Sequence, residues 1–265
     1  MKSADSSSIG PKIEAGVALV TGGGQRIGRA ICRALADDGW TVAIHHLHSA
    51  SEAEELVSDI TQQGGRAKAI TGDLADDDTV TDLICCVAAE LGPVTCLINN
   101  ASVFEPDDIL SATPESWRRH LDINLRAPFF LTQSFAKELA ADAFGCIINI
   151  LDERVWNLTP YFASYTVSKT GLWTLTQTCA LALAPRIRVN GIGPGPTLPS
   201  HRQSTQHFES QVTSTPLGIG TTPEEIASAV QFILSSPAMT GQMIALDGGQ
   251  HLKWRRNPGD PDLVE

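Results

Sequence analysis

The sequence lacks a long apolar run and lacks an excess of basic residues. No stretch approaches the roughly 18 apolar residues of a membrane span, so we predict no membrane role. The 30 acidic residues outnumber the 19 basic residues and give a formal net charge of −11. A surface that binds duplex nucleic acid normally carries a basic footprint, which argues against a nucleic-acid partner.

Cysteine is present, but without the spacings that indicate bridges or metal centres. None of the six cysteines forms a Cys-x-x-Cys pair, and the seven histidines make no spaced ligand set with them. We therefore predict reduced thiols in a cytoplasmic protein without a metal site. The cysteines stand at positions 32, 85, 86, 96, 146 and 179.

The length of 265 residues suits one α/β domain with a full core. Short apolar segments alternate with helix-like segments, which predicts a doubly wound Rossmann-type domain with a mostly parallel sheet. We expect this domain over residues 16–252, after a disordered leader (1–15) and before a tail (253–265). Residues 198–219 are polar and bounded by proline and glycine, which is typical of a mobile substrate lid. A disordered insertion is the alternative for that segment.

A glycine-rich turn follows the first predicted strand, Val17–Thr21. The segment Gly22-Gly-Gly-Gln-Arg-Ile-Gly28 then leads into a helix. Glycines let the backbone approach a phosphate closely, and the free N–H groups at a helix start face the anion. This combination predicts a dinucleotide-binding turn, although a plain glycine-rich turn is possible on composition alone.

Acid–base chemistry is indicated by the stretch from Cys146 to Thr170. The apolar run Cys146–Leu151 predicts a buried strand with Asp152 at its carboxyl end. Tyr165 and Lys169 follow four residues apart on a helical segment, so both side chains lie on one face. An ammonium held beside a phenol favours the phenolate, which would let the tyrosine exchange a proton with a substrate. On many amphipathic helices the same pair is merely a core ring and a solvated lysine.

Further motifs occur in the order that a nicotinamide-dependent enzyme needs: Asn99–Ser102, Asn124 and Pro194-Gly195. Together with the glycine turn and the Tyr165–Lys169 pair, they resemble the short-chain dehydrogenase/reductase family from about Gly16 to Leu252. The resemblance implies an oxidoreductase in which Tyr165 donates the proton and Lys169 assists it and holds the ribose. It also implies that Asn124 sits in a helix distortion and supports a water relay.

The resemblance also implies the cofactor. After the second strand, Thr41–His46, the chain has no acidic residue that would repel a 2′-phosphate, so we expect NADPH rather than NADH. The implied contacts are Gly22, Arg26, Ile27, Gly28, His46, His48, Ser49, Asp73, Leu74, Asn100, Ala101, Ser102, Tyr165, Lys169, Pro194 and Gly195.

Three residues resemble one branch of the family, the pteridine reductases. Arg26 replaces the middle glycine of the turn, Phe104 follows the segment Asn99–Ser102, and Asp152 stands 13 residues before Tyr165, where most members carry serine. The resemblance implies that Phe104 stacks on a flat pterin ring, with ~1 kcal/mol beyond burial, and that Arg26 lines the substrate mouth. Asp152 would orient the heterocycle and help to protonate it. The alternatives are that Arg26 is a surface arginine, that Phe104 is an ordinary loop aromatic and that Asp152 is displaced from the substrate.

We therefore expect an NADPH-dependent reductase that transfers hydride to a C=N bond of a pterin or dihydropterin. The resemblance implies a homotetramer assembled through the helices that carry Asn124 and Tyr165. Substrate contacts would come from Phe104, Arg26, Asp152 and Tyr165. The alternatives are a carbonyl reductase acting on a ketone or a 3-oxoacyl substrate, and a non-catalytic NADP-binding regulator.

Overall fold

The computed structural model describes residues 13–200 and 202–253, so most of the predicted leader and tail lies outside the described residues. Its seven strands are β1 (Val17–Val20), β2 (Thr41–His46), β3 (Arg66–Thr71), β4 (Val94–Asn99), β5 (Gly145–Ile150), β6 (Ile187–Pro194) and β7 (Met243–Leu246). All neighbours pair in parallel, in the order β3-β2-β1-β4-β5-β6-β7. The predicted doubly wound α/β fold is confirmed.

The helices cover both faces of the sheet. They are α1 (Arg26–Asp37), α2 (Ala50–Gln62), α3 (Asp77–Leu91), α4 (Pro114–Leu121), α5 (Ala127–Glu138), α6 (Ala163–Leu183), α7 (Thr205–Ser214) and α8 (Pro223–Leu234). A π-helical segment, Asp122–Arg126, joins α4 to α5, and 3-10 turns lie at Glu153–Val155 and Gln250–Leu252.

The sheet separates two apolar cores, because successive side chains of a strand point to opposite faces. Ala18 and Val20 belong to one core, whereas Val17 and Leu19 belong to the other. Every residue of β1 is therefore buried, which explains why the central strands read as continuous apolar runs.

The strand order reverses beside β1, whose neighbours are β2 and β4. The connections that leave β1 and β4 diverge at this point and open a crevice at the carboxyl ends of the strands, where ligands bind in open α/β sheets. The glycine turn follows β1, and Asn100 follows β4. The predicted cofactor residues therefore meet at one edge of the sheet.

The segment 198–219 contains a helix, α7, that its weak periodicity did not predict. None of the α7 residues is buried, so the helix has no strong apolar stripe. Phe208 and Gln211 nevertheless line the central cavity. Part of this segment therefore contributes to the cavity wall, and we call residues 198–219 the lid segment below, after their predicted role.

Candidate active site

A cavity of about 500 Å³ opens at the carboxyl ends of the central strands. It brings together most of the residues that the sequence predicts for the site. The predicted residues that line it are Gly22, Arg26, Ile27, Gly28, Ser49, Asp73, Leu74, Asn100, Ala101, Ser102, Phe104, Asp152, Tyr165, Lys169, Pro194 and Gly195.

Three predicted residues do not line this cavity. His46 is buried, whereas His48 is exposed on the surface. His45 and Leu47 line the cavity instead, because alternate side chains at the end of β2 point to opposite sides. Asn124 is fully buried behind the cavity wall.

The glycine turn packs tightly on the segment after β4. The side-chain amide of Asn100 donates to the carbonyl oxygens of Thr21 (2.8 Å) and Gly22 (3.0 Å). A Cβ on Gly28 would lie 2.2 Å from the Gly22 oxygen, so no larger residue fits there. Gly22 has φ +61°, a conformation that favours glycine. The turn thus holds the start of α1 toward the cavity, as a phosphate cradle requires.

His45 braces this turn, a role that its place in the apolar run of β2 does not indicate. Its Nδ1 accepts the Gly22 N–H at 3.3 Å, and its Nε2–H donates to the Gly72 oxygen at 3.1 Å. Burial lowers the pKa of His45 from 6.5 to about 4. The neutral ring therefore links the glycine turn to the Gly72–Leu74 segment of the cavity wall.

The residues at the end of β2 suit a phosphorylated adenosine ribose. His45, Leu47 and Ser49 line the cavity at this place, and none of them is acidic. A nucleotide with a 2′-phosphate would meet no repelling carboxylate there. Asp73 lies on the same wall, where its Oδ1 accepts the Ala75 N–H at 2.8 Å and shapes the turn after β3. The site therefore fits NADP.

Tyr165, Lys169 and Asp152 lie together where β5 and α6 meet. The Tyr165 hydroxyl donates to Oδ2 of Asp152 at 2.7 Å. Nζ of Lys169 donates to the Ile150 oxygen at 2.8 Å and lies 5.8 Å from the centre of the Tyr165 ring. Burial lowers the pKa of Lys169 to about 8, although the charge of Asp152 acts in the opposite direction. The lysine is therefore poised to change its charge close to neutral pH.

Arg154 holds Asp152 in place. The Arg154 N–H donates to Oδ1 of Asp152 at 2.8 Å, and its Nη1 lies 3.4 Å from Oδ2. Every one of these partners is a donor, as is the Tyr165 hydroxyl, so Asp152 acts as an acceptor toward them. The sequence carried no signal for Arg154 beyond its position two residues after the strand-end aspartate.

Phe104 belongs to an aromatic cluster beside Tyr165. It stacks on Phe162, with ring centroids 4.4 Å apart and planes inclined by 11°. It also meets Tyr165 edge-on at 4.7 Å. Cζ of Arg154 lies 5.3 Å from the Phe104 centroid. Arg202, which belongs to the lid segment, donates to the Phe104 carbonyl oxygen at 2.8 Å. Phe162 therefore covers one face of Phe104, and Cζ of Arg202 also lies over this ring, 5.6 Å from its centroid.

Arg26 connects the glycine turn to the lid segment. Its φ of +52° lies in the left-handed region, which favours glycine over a residue with a side chain. Its guanidinium donates to the Pro199 oxygen at 3.0 Å and to the Leu198 oxygen at 3.2 Å. Arg26 therefore combines a strained backbone with a tether across the cavity mouth.

Asn124 fastens the loop after β4 to α6. Its side chain exchanges two hydrogen bonds with the backbone of Val103, at 2.8 and 2.9 Å, and donates to Oγ of Ser168 at 3.1 Å. It lies in the π-helical segment, as the predicted distortion requires. The water relay assigned to Asn124 stays a prediction.

All six cysteines are free thiols. Across residues 13–200 and 202–253, no group of three His, Cys, Asp or Glu side chains is arranged to hold a metal ion. Of the helices in that part of the chain, none has the length and apolarity needed to cross a bilayer.

Comparison with known proteins identifies the family. The short chain dehydrogenase family matches residues 16–210, and the chain therefore belongs to this family of oxidoreductases. FolM alternative dihydrofolate reductase 1 from Brucella canis, solved with NADP, superposes with a TM-score of 0.89 and 43% identity over 96% of this chain and 99% of its own. The FolM alternative dihydrofolate reductase 1 from Brucella suis, also solved with NADP, superposes with a TM-score of 0.89. It is 44% identical over 95% of this chain and 100% of its own. A 3-oxoacyl-[acyl-carrier-protein] reductase of Synechocystis is 32% identical over 89% of this chain and 97% of its own length.

Proposed function

We propose that this protein is an NADPH-dependent reductase that reduces a C=N bond of a pterin or dihydropterin. The single observation that carries the proposal is the hydrogen bond from the Tyr165 hydroxyl to Oδ2 of Asp152, 2.7 Å long, at the carboxyl end of β5. A substrate that displaces this bond meets the Tyr165 hydroxyl as a donor and the Asp152 carboxylate as an acceptor, side by side next to the ring of Phe104. A flat nitrogen heterocycle has the matching edge, with a ring nitrogen beside an N–H group.

The two Brucella structures support both parts of the proposal. Each is a FolM alternative dihydrofolate reductase 1 solved with NADP, and each shares more than 40% of its residues with this chain over nearly the whole length. The wall at the end of β2, with no acidic residue among His45, Leu47 and Ser49, supports NADP as the cofactor here.

Each of these residues has a separate role in the proposed reduction. NADPH, when bound, supplies a hydride to the carbon of the C=N bond. Tyr165 gives its hydroxyl proton to the ring nitrogen, and the positive charge of Lys169 stabilises the phenolate that remains. Asp152 accepts an N–H of the heterocycle and so fixes which nitrogen faces Tyr165. Phe104 and the lid segment cover the ring and keep water out.

The alternative is a carbonyl reductase, and the Synechocystis relative favours it, since that protein is a 3-oxoacyl-[acyl-carrier-protein] reductase. The Tyr165–Lys169 pair serves either reaction. A simple ketone oxygen has no proton to give Asp152, and the carboxylate beside it would oppose the developing oxyanion. A nitrogen heterocycle therefore suits the site better than a ketone.

The deciding experiment measures NADPH oxidation with dihydrobiopterin and dihydrofolate beside a panel of ketones and a 3-oxoacyl thioester. Turnover of a dihydropterin supports the proposal, whereas turnover of ketones alone supports the carbonyl reductase. NADPH binding without turnover of either class would indicate the non-catalytic regulator. NADH run in parallel tests the cofactor preference.

The proposed assembly is a homotetramer formed through the helices around Asn124 and Tyr165. Large apolar side chains on these helices are exposed in the single chain, among them Phe129, Phe130 and Leu181. Light scattering after size exclusion measures the assembly directly, and Phe130→Arg should shift it toward smaller species. A monomeric parent protein would contradict this assignment. The cytoplasmic location stays a prediction.

A further inference from the structure

A polar network lies buried beneath the catalytic tyrosine and takes no part in the chemistry described above. Its members are Asp107, His120 and Ser164, with exposed fractions of 8%, 0% and 0%. They come from three separate elements: the loop after β4, helix α4 and the first turn of α6. Polar groups buried this deeply need complete partners, so their arrangement is specified.

Asp107 caps α6 from outside the helix. The N-cap residue of α6 is Phe162, which has φ +57° and no side chain that could serve as a cap. The Asp107 carbonyl accepts the N–H groups of Phe162 (2.6 Å) and Ala163 (3.4 Å), and Oδ1 accepts that of Ser164 (3.1 Å). Asp107 thus satisfies two of the four N–H groups that the start of α6 leaves open, those of Ala163 and Ser164.

Only one arrangement of protons satisfies the rest of the network. Nε2 of His120 accepts the Glu105 N–H at 3.1 Å, so the ring proton is on Nδ1. That proton faces the Ser116 oxygen at 3.0 Å and Oγ of Ser164 at 2.7 Å. The Ser164 hydroxyl is then free to donate to the carboxylate of Asp107.

The two ends of the network adjoin the two rings of the active site. His120 holds the N–H of Glu105, the residue after Phe104, whereas Asp107 holds Ser164, the residue before Tyr165. The His120 ring also lies 6.1 Å from the Tyr165 ring, edge to face. The separation of 4.7 Å between the Phe104 and Tyr165 centroids is therefore set across this network.

We propose that Asp107, His120 and Ser164 are positioning residues that fix the proton donor Tyr165 relative to the substrate ring on Phe104. The part that concerns Phe104 rests on the proposed function, and the part that concerns Tyr165 rests on the family's chemistry alone. A Ser–His–Asp cluster also resembles a nucleophilic triad. Here the serine is fully buried and its hydroxyl is donated to the aspartate, so it serves as a structural link.

The test begins with Ser164→Ala, which removes the hydroxyl between His120 and Asp107 but leaves the backbone caps and the hydrogen bond from Ser116 Oγ to Asp107 in place. We expect kcat to fall about tenfold, with the KM for NADPH unchanged within about twofold, because misplacing a reacting group costs the transition state more than the ground state. The matched control is Thr174→Ala, which also removes a hydroxyl from α6 but at an exposed position, and it should retain the parent kcat.

Variants of His120 separate the two ends of the network. His120→Gln keeps an acceptor for the Glu105 N–H, and His120→Asn keeps a donor toward Ser164. We expect His120→Asn to retain more of the parent kcat and His120→Gln to retain more of the parent KM for the substrate. His120→Phe, which has neither group, should lose both. A merely structural role would lower thermal stability in all three without this division.

The assays use whichever substrate class the parent protein turns over, so the outcome is separate from that of the proposed function. Ketone turnover by the parent would sink the pterin proposal, and the tenfold loss in Ser164→Ala would still support the positioning role. Parent-like kcat in both Ser164→Ala and His120→Phe would overturn that role. So would the loss of a cooperative unfolding transition in every variant, since the network would then serve folding alone.

Discussion

The Tyr165 hydroxyl donates to Oδ2 of Asp152 at 2.7 Å, in the place where most members of the family carry a serine. A serine hydroxyl would offer a second donor to a substrate oxygen, whereas Asp152 offers an acceptor. The change converts a donor–donor site into a donor–acceptor site. Arg154, with Nη1 3.4 Å from Oδ2, keeps the carboxylate oriented. The identity of one residue thus changes which substrate edges the site can match.

Replacing Asp152 by serine should reverse this preference. We expect Asp152→Ser to lower kcat/KM for a dihydropterin at least about tenfold, since the lost charge-assisted hydrogen bond is worth roughly 1.5–3 kcal/mol. NADPH affinity, measured by fluorescence titration, should stay within about twofold of the parent. The variant should also gain turnover of simple ketones. Asp142→Asn, an exposed carboxylate far from the cavity, is the control. Unchanged dihydropterin turnover would sink the role given to Asp152.

Lys169 should impose a pH dependence on cofactor use. Its pKa is lowered to about 8 in the free protein by burial, so its positive charge is lost as the pH rises through that value. Because kcat/KM for NADPH reports the free enzyme, we expect it to decline above about pH 8. The profile is measured at saturating substrate and constant ionic strength. A flat profile to pH 10 or so would contradict the requirement for a charged lysine.

The same burial makes Lys169 costly for stability. A lysine whose pKa falls from 10.5 to about 8 on folding destabilises the fold fully below pH 8, by roughly 3 kcal/mol, and the cost vanishes above its unfolded pKa. Lys169→Met should therefore lose the part of the pH dependence of stability that the parent shows between pH 8 and 10.5, and it should abolish turnover. Lys137→Met, an exposed change on α5, should leave both unchanged.

His45 should make the protein sensitive to acid. Its pKa falls from 6.5 in the unfolded chain to about 4 in the fold, so the unfolded chain binds more protons between these values. Stability from this group is complete above pH 6.5 and declines as the pH falls toward 4, by roughly 3 kcal/mol in total. His45→Asn keeps an acceptor for the Gly22 N–H but cannot titrate, so its urea midpoint should vary less across this window. His48→Asn, at an exposed position, should follow the parent.

Much of this site was predictable because its residues follow local rules. Spacing alone places Tyr165 and Lys169 on one helical face, and the apolar run of β5 places Asp152 at its end. The structure also gives β2 the predicted bounds, Thr41–His46. These features depend on neighbouring residues in the chain, which a sequence displays directly.

The remaining features depend on contacts between distant segments. The apolar run of β2 does not reveal which of His45 and His46 faces the cavity, since both side chains are buried. Asp107 caps α6 from 57 residues away, so nothing near either residue indicates the contact. Helix α7 has no buried residue and hence no apolar stripe for the sequence to show.

Arg26 offers a test of the tether between the glycine turn and the lid segment. Arg26→Gly relieves the strain of a non-glycine residue in the left-handed conformation, which stabilises the fold by about 1 kcal/mol. Glycine also gives the unfolded chain more conformational freedom, which offsets a similar amount. Stability should therefore change little, while the hydrogen bonds to Leu198 and Pro199 are lost. We expect the KM for NADPH to rise roughly threefold to tenfold, because a free lid covers the cofactor less of the time.

The comparison that isolates the tether is Arg26→Asn. Asparagine tolerates the left-handed conformation but cannot reach two carbonyl oxygens, so its KM for NADPH should match that of Arg26→Gly. Arg26→Lys keeps the charge but loses the planar fork that spans both carbonyls, so it should fall between these variants and the parent. Parent-like KM values in both Arg26→Gly and Arg26→Asn would show that the lid segment holds its position without the guanidinium.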